Sequence, residues 1–154
     1  MAASRVCRLV DEAPEPLWDR LADFPNWRTW LDRVRDSRMA PGPTHSPGAT
    51  RVVGHPDNPR VHEVMLAVDA RTYTLSYGVA TEPVWSVPAR NYVATVHLVP
   101  LTDRPATVVD WSSRYDCEQG DEQKIGELFV QLYNEFIVNL TSPQPAGRSA
   151  LRDQ

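Results

Sequence analysis

The chain has 154 residues, of which 42% are hydrophobic and 23% charged, the composition of one folded domain and not of a disordered chain. Its net charge of −4 disfavours a nucleic-acid-binding role, because phosphate backbones are bound by clustered Lys and Arg. No apolar run approaches 18 residues, and the first residues lack the apolar core of a secretory signal, so neither a membrane span nor secretion is expected. We therefore expect a cytoplasmic protein.

The first thirty residues are predicted to form one strand and two short helices. Residues 4–10 are typical of a short strand. A helix follows over about residues 16–22, because proline is tolerated in the first helical turn. Asn26 can cap a second short helix that carries Trp27 and Trp30 on one face, since residues three apart lie together on a helix.

The middle of the chain alternates between apolar and polar residues with a period of two, which predicts strands. The clearest segments are residues 72–79, 92–99 and 108–116. Residues 61–68 form a further predicted strand, but both of its faces carry apolar residues, so its inward face stays open. Strands this close together in sequence favour an antiparallel meander.

The C-terminal part is predicted to form a long amphipathic helix. Apolar residues recur at intervals of three and four from Ile125 to Leu140, and Asp121 and Glu122 complement the helix dipole at its start. Twenty residues give a helix of about 30 Å, long enough to cross a whole sheet. A flexible tail is expected over residues 143–154.

This order of elements resembles the START-type helix-grip superfamily (SRPBCC), and within it the polyketide cyclase/dehydrase and lipid-transport family. The local sequence agrees with the family at residues 14–30, 71–77, 91–96 and 109–112, and the resemblance covers about residues 4–140. It implies an α+β fold in which a strongly bent antiparallel sheet of about seven strands wraps around the long C-terminal helix. Two short helices follow the first strand, in one domain over residues 1–142.

The resemblance implies a cavity between sheet and helix that holds a hydrophobic small molecule. The family does not share one reaction, because it includes aromatase/cyclases, plant hormone receptors and lipid carriers. We expect a polyketide-like or aromatic ligand, and a cofactor-free cyclase or dehydratase of secondary metabolism that acts as a monomer or homodimer. The alternative is a non-catalytic carrier, a sensor or a sequestering protein that gives self-resistance.

Three residues are candidates for catalysis: Glu63, Tyr77 and Tyr92. Glu63 lies on an otherwise apolar strand, and the hormone-receptor relatives have an acid at the matching position. A carboxylate in an apolar cavity has a raised pKa and can exchange protons near neutrality, while the tyrosines would donate to an enolate oxygen. The alternative is that Glu63 points to solvent beside His62, and Met65 would follow it in either case.

Several hydroxyl groups lie on strand faces that should be core, which favours an interior with ligand or water over a dry core. The residues expected to contact ligand are Trp30, Met65, Val79, Trp85, Arg90, Ala94, Val96, Trp111, Ser113, Tyr115, Phe129, Leu132, Tyr133 and Phe136.

Two loops are candidate lids over the cavity. In residues 81–90, Trp85 could close on ligand and Arg90 could bind a carboxylate or phenolate at the entrance. The alternative is a simple hairpin connection with a packed Trp. The second candidate is the Pro- and Gly-rich stretch 40–55.

Other chemistry is not indicated. The four histidines show no i, i+4 pairing, so no metal site is expected, and there is no Gly-rich phosphate loop or nucleophile elbow. Cys7 and Cys117 are too few for a disulfide framework and are expected to be free thiols.

Overall fold

A curved, unclosed antiparallel sheet of seven strands carries one long helix at the C-terminal end of the chain. The computed structural model describes residues 1–55 and 58–141. The strands lie in the sheet in the order β1-β7-β6-β5-β4-β3-β2. The elements in chain order are β1 (Ala2–Val10), α1 (Pro14–Ala22), a 3-10 helix (Phe24–Thr29), β2 (Asp36–Met39), β3 (Thr50–His55), β4 (Asn58–Asp69), β5 (Thr74–Val79), β6 (Arg90–Pro100), β7 (Thr107–Asp116) and α2 (Glu122–Thr141). The predicted helix-grip fold class is confirmed.

The alternating strands bury the faces that the period-two pattern predicts. In β6, Tyr92, Ala94 and Val96 are buried, while the residues between them are only half-buried. The register of β6 with β7 places Trp111 beside Val96 and Ser113 beside Ala94. Since paired residues of an antiparallel sheet share a face, these side chains all point to the same interior.

The structure explains why the sequence pattern did not determine the inward face of β4. Val61, Glu63 and Met65 are buried, but the register with β5 shifts between Met65 and Ala67. Leu66 lies at this irregularity and is 46% exposed. A bulge adds one residue to a strand, so the alternation of inward and outward side chains reverses beyond it. In the sequence, apolar residues of β4 therefore occur at both odd and even positions.

Residues 50–55 form a strand, so they are not part of a lid loop as predicted. Arg51, Val52 and Val53 in β3 are each 2% exposed, so only residues 40–49 remain a connecting loop. β2, which pairs with β3, was also missed. Neither strand alternates cleanly between polar and apolar residues, and the prolines and glycines before them are typical of loops.

The 3-10 helix begins at Phe24, two residues before the predicted cap. Asn26 lies within this element with non-helical backbone angles (φ −115°, ψ 24°), at a kink where two short helices meet. Its amide donates to both oxygens of Asp23, at 3.0 and 3.1 Å. Trp27 and Trp30 do pack together, with ring centroids 5.1 Å apart.

The long helix is confirmed over twenty residues. Its inward side chains are spaced by three and four and are buried: Ile125, Phe129, Tyr133, Phe136, Ile137 and Leu140. Within the described residues, no helix is both long and apolar enough to cross a membrane. The predicted tail and the domain boundary at residue 142 lie outside the described residues.

Candidate functional site

Aromatic side chains in mutual contact pack between the sheet and α2. Their ring centroids are 4.7–6.5 Å apart, in edge-to-face, tilted and stacked pairs, the usual geometry of packed aromatic rings. We call this set the aromatic cluster: Phe24, Trp27, Trp30, Tyr77, Tyr92, Trp111, Tyr115, Phe129, Tyr133 and Phe136.

Most of the predicted site residues lie in this interior. The buried ones, each no more than 4% exposed, are Trp30, Glu63, Met65, Tyr77, Tyr92, Ala94, Val96, Trp111, Ser113, Tyr115, Phe129, Tyr133 and Phe136. Three others are half-buried: Val79, Trp85 and Leu132. Arg90 is exposed at the start of β6 and forms an ion pair with Glu118 at 3.2 Å.

A chain of hydroxyl groups joins the sheet to α2. Tyr133 donates to Ser113 Oγ at 2.5 Å, and the hydroxyl groups of Tyr92 and Tyr133 are 2.6 Å apart. A phenol has one proton, so Tyr92 must donate to Tyr133 if Tyr133 donates to Ser113. We call these three residues the hydroxyl chain. A separate pair, Ser4 and Tyr115, is joined at 2.8 Å.

The phenols of the interior are held in their neutral form. Burial raises the pKa of Tyr92 well above its ordinary value, and burial likewise raises the pKa of Tyr77 and of Tyr133. The negative charge of Glu63 adds to the rise for Tyr77, because it disfavours a second negative charge nearby. At neutral pH these tyrosines are therefore hydrogen-bond donors and not bases.

Glu63 is paired with Arg51, which sequence reasoning missed. Glu63 is 2% exposed, so the solvent-facing alternative is wrong. Nη2 and Nε of Arg51 donate to Glu63 Oε2 at 2.6 and 3.1 Å, and Nη1 donates to the carbonyl of Phe24 at 2.8 Å. The carboxylate is therefore compensated, not isolated in apolar surroundings as predicted.

The guanidinium of Arg51 is also enclosed by aromatic rings. It lies 3.8 Å from the ring centroids of both Phe24 and Trp27, within the range of a cation–π interaction. Arg51 faces Glu63 directly across β3 and β4. Twelve residues separate them along the chain, so only the strand pairing could have revealed the contact.

Trp111 carries a buried donor without an acceptor. Its side chain is 0% exposed, and Nε1 has no hydrogen-bond partner among the residues that the structure describes. The indole still acts as a donor on the Tyr77 hydroxyl, outside ordinary hydrogen-bond geometry, and this offsets part of the rise in the pKa of that phenol. Unsatisfied buried donors are rare in proteins.

A groove opens beside α2. It has a volume of about 350 Å³, and Trp85, Leu128 and Leu132 give it an apolar wall, while Arg33 and Glu135 form an ion pair of 2.9 Å at its edge. We call it the side groove. Its lining residues are Arg33, Trp85, Ser86, Val87, Leu128, Gln131, Leu132 and Glu135.

The wall of the side groove that includes Trp85 is a tight turn. Val84 and Val87 exchange two backbone hydrogen bonds, at 2.7 and 3.0 Å. Trp85 and Ser86 between them have positive φ angles of 52° and 71°, a conformation that costs energy for residues other than glycine. This part of the 81–90 loop is therefore a hairpin turn that presents a half-buried Trp to the groove.

Both cysteines are free thiols, as predicted. Cys7 in β1 lies opposite Asp110 of β7, not opposite Cys117. Within residues 1–55 and 58–141, no three potential metal-ligating side chains come together.

Comparison with known sequences gives one family match. The model of the family described as polyketide cyclase/dehydrase and lipid transport matches residues 1–142. A search of curated proteins gave no significant match.

Solved structures with the same architecture come from bacteria and plants. XoxI from Bacillus cereus is 19% identical, with 92% of this chain and 94% of that chain covered and a TM-score of 0.78. A protein from Thermobifida fusca is 24% identical over 85% and 84% of the chains, with a TM-score of 0.74. Norcoclaurine synthase from Thalictrum flavum, in complex with dopamine and hydroxybenzaldehyde, is 13% identical over 91% and 84%, with a TM-score of 0.71. Identities this low establish a shared fold alone.

Proposed function

The chain belongs to the polyketide cyclase/dehydrase and lipid-transport family, and from this we propose that it binds a hydrophobic, polyketide-like or aromatic small molecule in the interior of the helix grip. We further propose that it acts on this molecule as a cofactor-free cyclase/dehydratase. The family supports the binding of a hydrophobic ligand. The reaction is argued from the residues of the interior.

The observation that carries the proposal is the set of neutral donors beside a buried carboxylate. Cyclisation of a polyketone moves negative charge from a carbon acid to a carbonyl oxygen, and fixed donors stabilise that oxygen in the transition state. Tyr77 and Tyr92 are buried phenols that stay protonated at neutral pH. Glu63 is the inward carboxylate of β4.

Each residue then has a defined role. Glu63 removes a proton from a carbon next to a carbonyl group. Tyr77 donates to the enolate oxygen that results, or Tyr92 does so by turning its proton from Tyr133 to the ligand. Attack of the enolate carbon on a second carbonyl closes the ring, and the new alkoxide takes the proton back from Glu63. Both hydrogen bonds from Arg51 end on Oε2, so Oε1 lies outside the ion pair and is the oxygen assigned to the proton.

The side groove is the proposed entrance. It borders α2 at Leu132, next to Tyr133 of the hydroxyl chain. Its volume of about 350 Å³ is of the size that small-molecule sites have in proteins. Movement of the turn that carries Trp85 would widen this path. Arg90 does not line the groove and pairs with Glu118, and its proposed role is to bind an acidic group of the ligand outside the groove.

The second candidate is a carrier, sensor or sequestering protein. It is favoured by the ion pair between Arg51 and Glu63, because two hydrogen bonds from the guanidinium already engage the carboxylate. It is also favoured by the contacts within the aromatic cluster, which suit retention of an aromatic ligand. This candidate predicts tight binding without conversion.

The test begins with native mass spectrometry of the purified protein, to identify any hydrophobic molecule that co-purifies. Turnover is then measured with a synthetic aryl triketone, 1-phenylhexane-1,3,5-trione, whose cyclisation and loss of one water give 3,5-dihydroxybiphenyl. We expect Tyr92→Phe and Glu63→Gln to lower kcat at least about a hundredfold, the lower end of the usual contribution of acid–base groups, while Kd changes less than threefold.

The matched control is Tyr73→Phe. Its hydroxyl group lies outside the interior, 3.4 Å from Glu15, so its removal should leave both kcat and Kd unchanged. Equal loss of binding and turnover in the Tyr92 and Glu63 variants would contradict the catalytic assignment. Retained ligand with no product after long incubation would favour the carrier.

A further inference from the structure

Two serines occupy inward positions on neighbouring strands of the sheet. Ser4 of β1 and Ser113 of β7 are directly opposite each other in the strand register. Both are buried, at 6% and 4% exposed. A buried hydroxyl group costs free energy unless it is hydrogen-bonded, so an apolar core gains nothing from two of them side by side. Packing alone does not account for this pair.

Each serine belongs to a different set of hydrogen-bonded hydroxyl groups. Ser113 ends the hydroxyl chain, in which Tyr133 connects it to Tyr92. Ser4 Oγ is 2.8 Å from the hydroxyl of Tyr115. The two sets lie close together, because the pKa of Tyr133 is raised by burial and also by the neighbouring phenol of Tyr115. Opposite side chains of an antiparallel pair have Cβ atoms about 4.5–5.5 Å apart, so two serine hydroxyls that turn toward each other form a hydrogen bond.

Ser4 also lines a surface groove between β1 and α2, which we call the β1 groove. Its volume is about 500 Å³, and its lining includes Ser4, Arg5, Glu122, Gly126 and Glu127. Gly126 places no side chain over the serine: a methyl group there would lie 3.7 Å from Ser4 Oγ and 3.8 Å from the Tyr115 hydroxyl. The groove opens to solvent, so Ser4 is the hydroxyl through which the buried set can exchange protons with water.

We propose that a proton path runs from the β1 groove to the interior through four hydroxyl groups: Ser4, Ser113, Tyr133 and Tyr92. Each hydroxyl gives its proton to the next oxygen inward and receives one from the oxygen behind it, so one proton moves inward and no hydroxyl is left charged. The donors in the structure point outward, from Tyr92 to Tyr133 to Ser113, which is the order that remains after a proton has passed inward. Ser4 is turned to Tyr115, and its rotation toward Ser113 connects the path to the groove.

Tyr92 is the group that would use the proton path in catalysis. Burial raises the pKa of Tyr92 well above its ordinary value, so a phenolate is disfavoured in the interior. When the hydroxyl group formed by ring closure leaves as water, it takes the proton of Tyr92, while Glu63 takes a proton from the adjacent carbon. The path returns a proton to Tyr92, and Glu63 releases its proton to water as the product leaves. This use rests on the proposed function, whereas the path itself does not.

The proton path is tested first without ligand, by exchange of the tyrosine hydroxyl protons. The protein is labelled with [ζ-¹³C]tyrosine and studied by NMR in a mixture of H2O and D2O, in which a slowly exchanging hydroxyl gives two Cζ signals. We expect Tyr92 and Tyr133 to exchange at least about tenfold faster than Tyr77, which is equally buried but lies outside the path and must wait for local opening of the fold. Ser113→Ala and Ser4→Ala should each slow the exchange of Tyr92 and Tyr133 to the rate of Tyr77.

Two variants of β7 separate proton transfer from a structural effect. Ser112→Ala is the matched control, because its hydroxyl lies next along β7 on the opposite face and its removal should leave every exchange rate unchanged. Ser113→Thr keeps a hydroxyl group and should restore most of the exchange that Ser113→Ala loses. With the aryl triketone, Ser113→Ala should accumulate the cyclised alcohol that has not lost water, while Kd stays unchanged.

The outcomes separate the two proposals. If Tyr92 and Tyr133 exchange no faster than Tyr77, or exchange equally fast in Ser113→Ala, the proton path is wrong and the proposed function stands. If exchange is fast and depends on Ser113 but the triketone is not converted, the proton path stands and the proposed reaction fails. The comparison with Tyr77 uses wild-type protein alone, so a poorly folded variant would not prevent the decision.

Discussion

Substitution of Arg51 should lower the free energy of unfolding strongly, although Arg51 lies in a strand of only six residues. Arg51→Met replaces the guanidinium with an unbranched apolar side chain and leaves Glu63 buried without its counter-ion. The guanidinium and carboxylate are 2% and 3% exposed, so water cannot replace the lost partner. The carbonyl of Phe24 loses its donor as well, and the rings of Phe24 and Trp27 lose a cation 3.8 Å from their centroids.

The magnitude follows from the burial of the pair. Removing one partner of a buried ion pair costs about 3–5 kcal/mol, whereas replacing both with apolar residues of similar volume is often neutral or stabilising. Since a domain of this size has a total stability of about 5–15 kcal/mol, Arg51→Met should remove a large share of it. The double variant Arg51→Met/Glu63→Met should recover most of the loss.

The assay is equilibrium urea denaturation followed by tryptophan fluorescence, with the two single variants and the double variant as a cycle. The control is Arg5→Met, which breaks an ion pair of 2.8 Å with Asp110 in which the Arg5 side chain is 66% exposed. Its denaturation midpoint should barely move, because exposed ion pairs contribute little. A loss for Arg51→Met below about 1 kcal/mol, or a double variant as unstable as the single one, would refute the reasoning.

Three further predictions concern other parts of the fold. Gly126→Ala should raise the free energy of unfolding by about 0.5–1 kcal/mol in urea denaturation, because alanine favours α2 and the added methyl group would meet its neighbours only at ordinary contact distance; a loss of stability would contradict it. Ser86→Gly should gain about 0.5–1 kcal/mol by the same assay, since Ser86 has a φ of 71°, and Ser86→Ala should not. Burial raises the pKa of the inward tyrosines Tyr77, Tyr92 and Tyr133, so their ionisation favours the unfolded chain. The free energy of unfolding should therefore be unaffected by them below pH 10 and fall above it, by about 1.4 kcal/mol per pH unit for each phenol; equal pH slopes for wild type and Tyr92→Phe between pH 10 and 11 would show that this phenol does not contribute.

The sequence was sufficient for the elements whose pattern is local. The spacing of apolar residues from Ile125 to Leu140 predicted α2, and the alternation in β6 identified Tyr92, Ala94 and Val96 as inward. Both patterns repeat with the period of one element, so no partner needs to be known. The order of these elements then indicated the family and its fold.

The composition of the candidate site could be predicted only in part. Glu63 was identified as an inward candidate, but its partner Arg51 lies on a strand that the sequence pattern did not reveal. The inward face of β4 could not be chosen, because the register shift after Met65 reverses the alternation. The helical turn that begins at Phe24, before the kink at Asn26, was not predicted.

Along the chain, each residue's own propensity and the period of its neighbours determined which segments are strands and helices and which faces are apolar. Only the tertiary structure decided which polar groups meet. The charge of Glu63 is compensated by Arg51, Tyr133 joins Tyr92 to Ser113, and Trp111 keeps a donor with no acceptor among the described residues. These contacts depend on strand register and on how α2 crosses the sheet, which are set by packing between residues far apart in sequence.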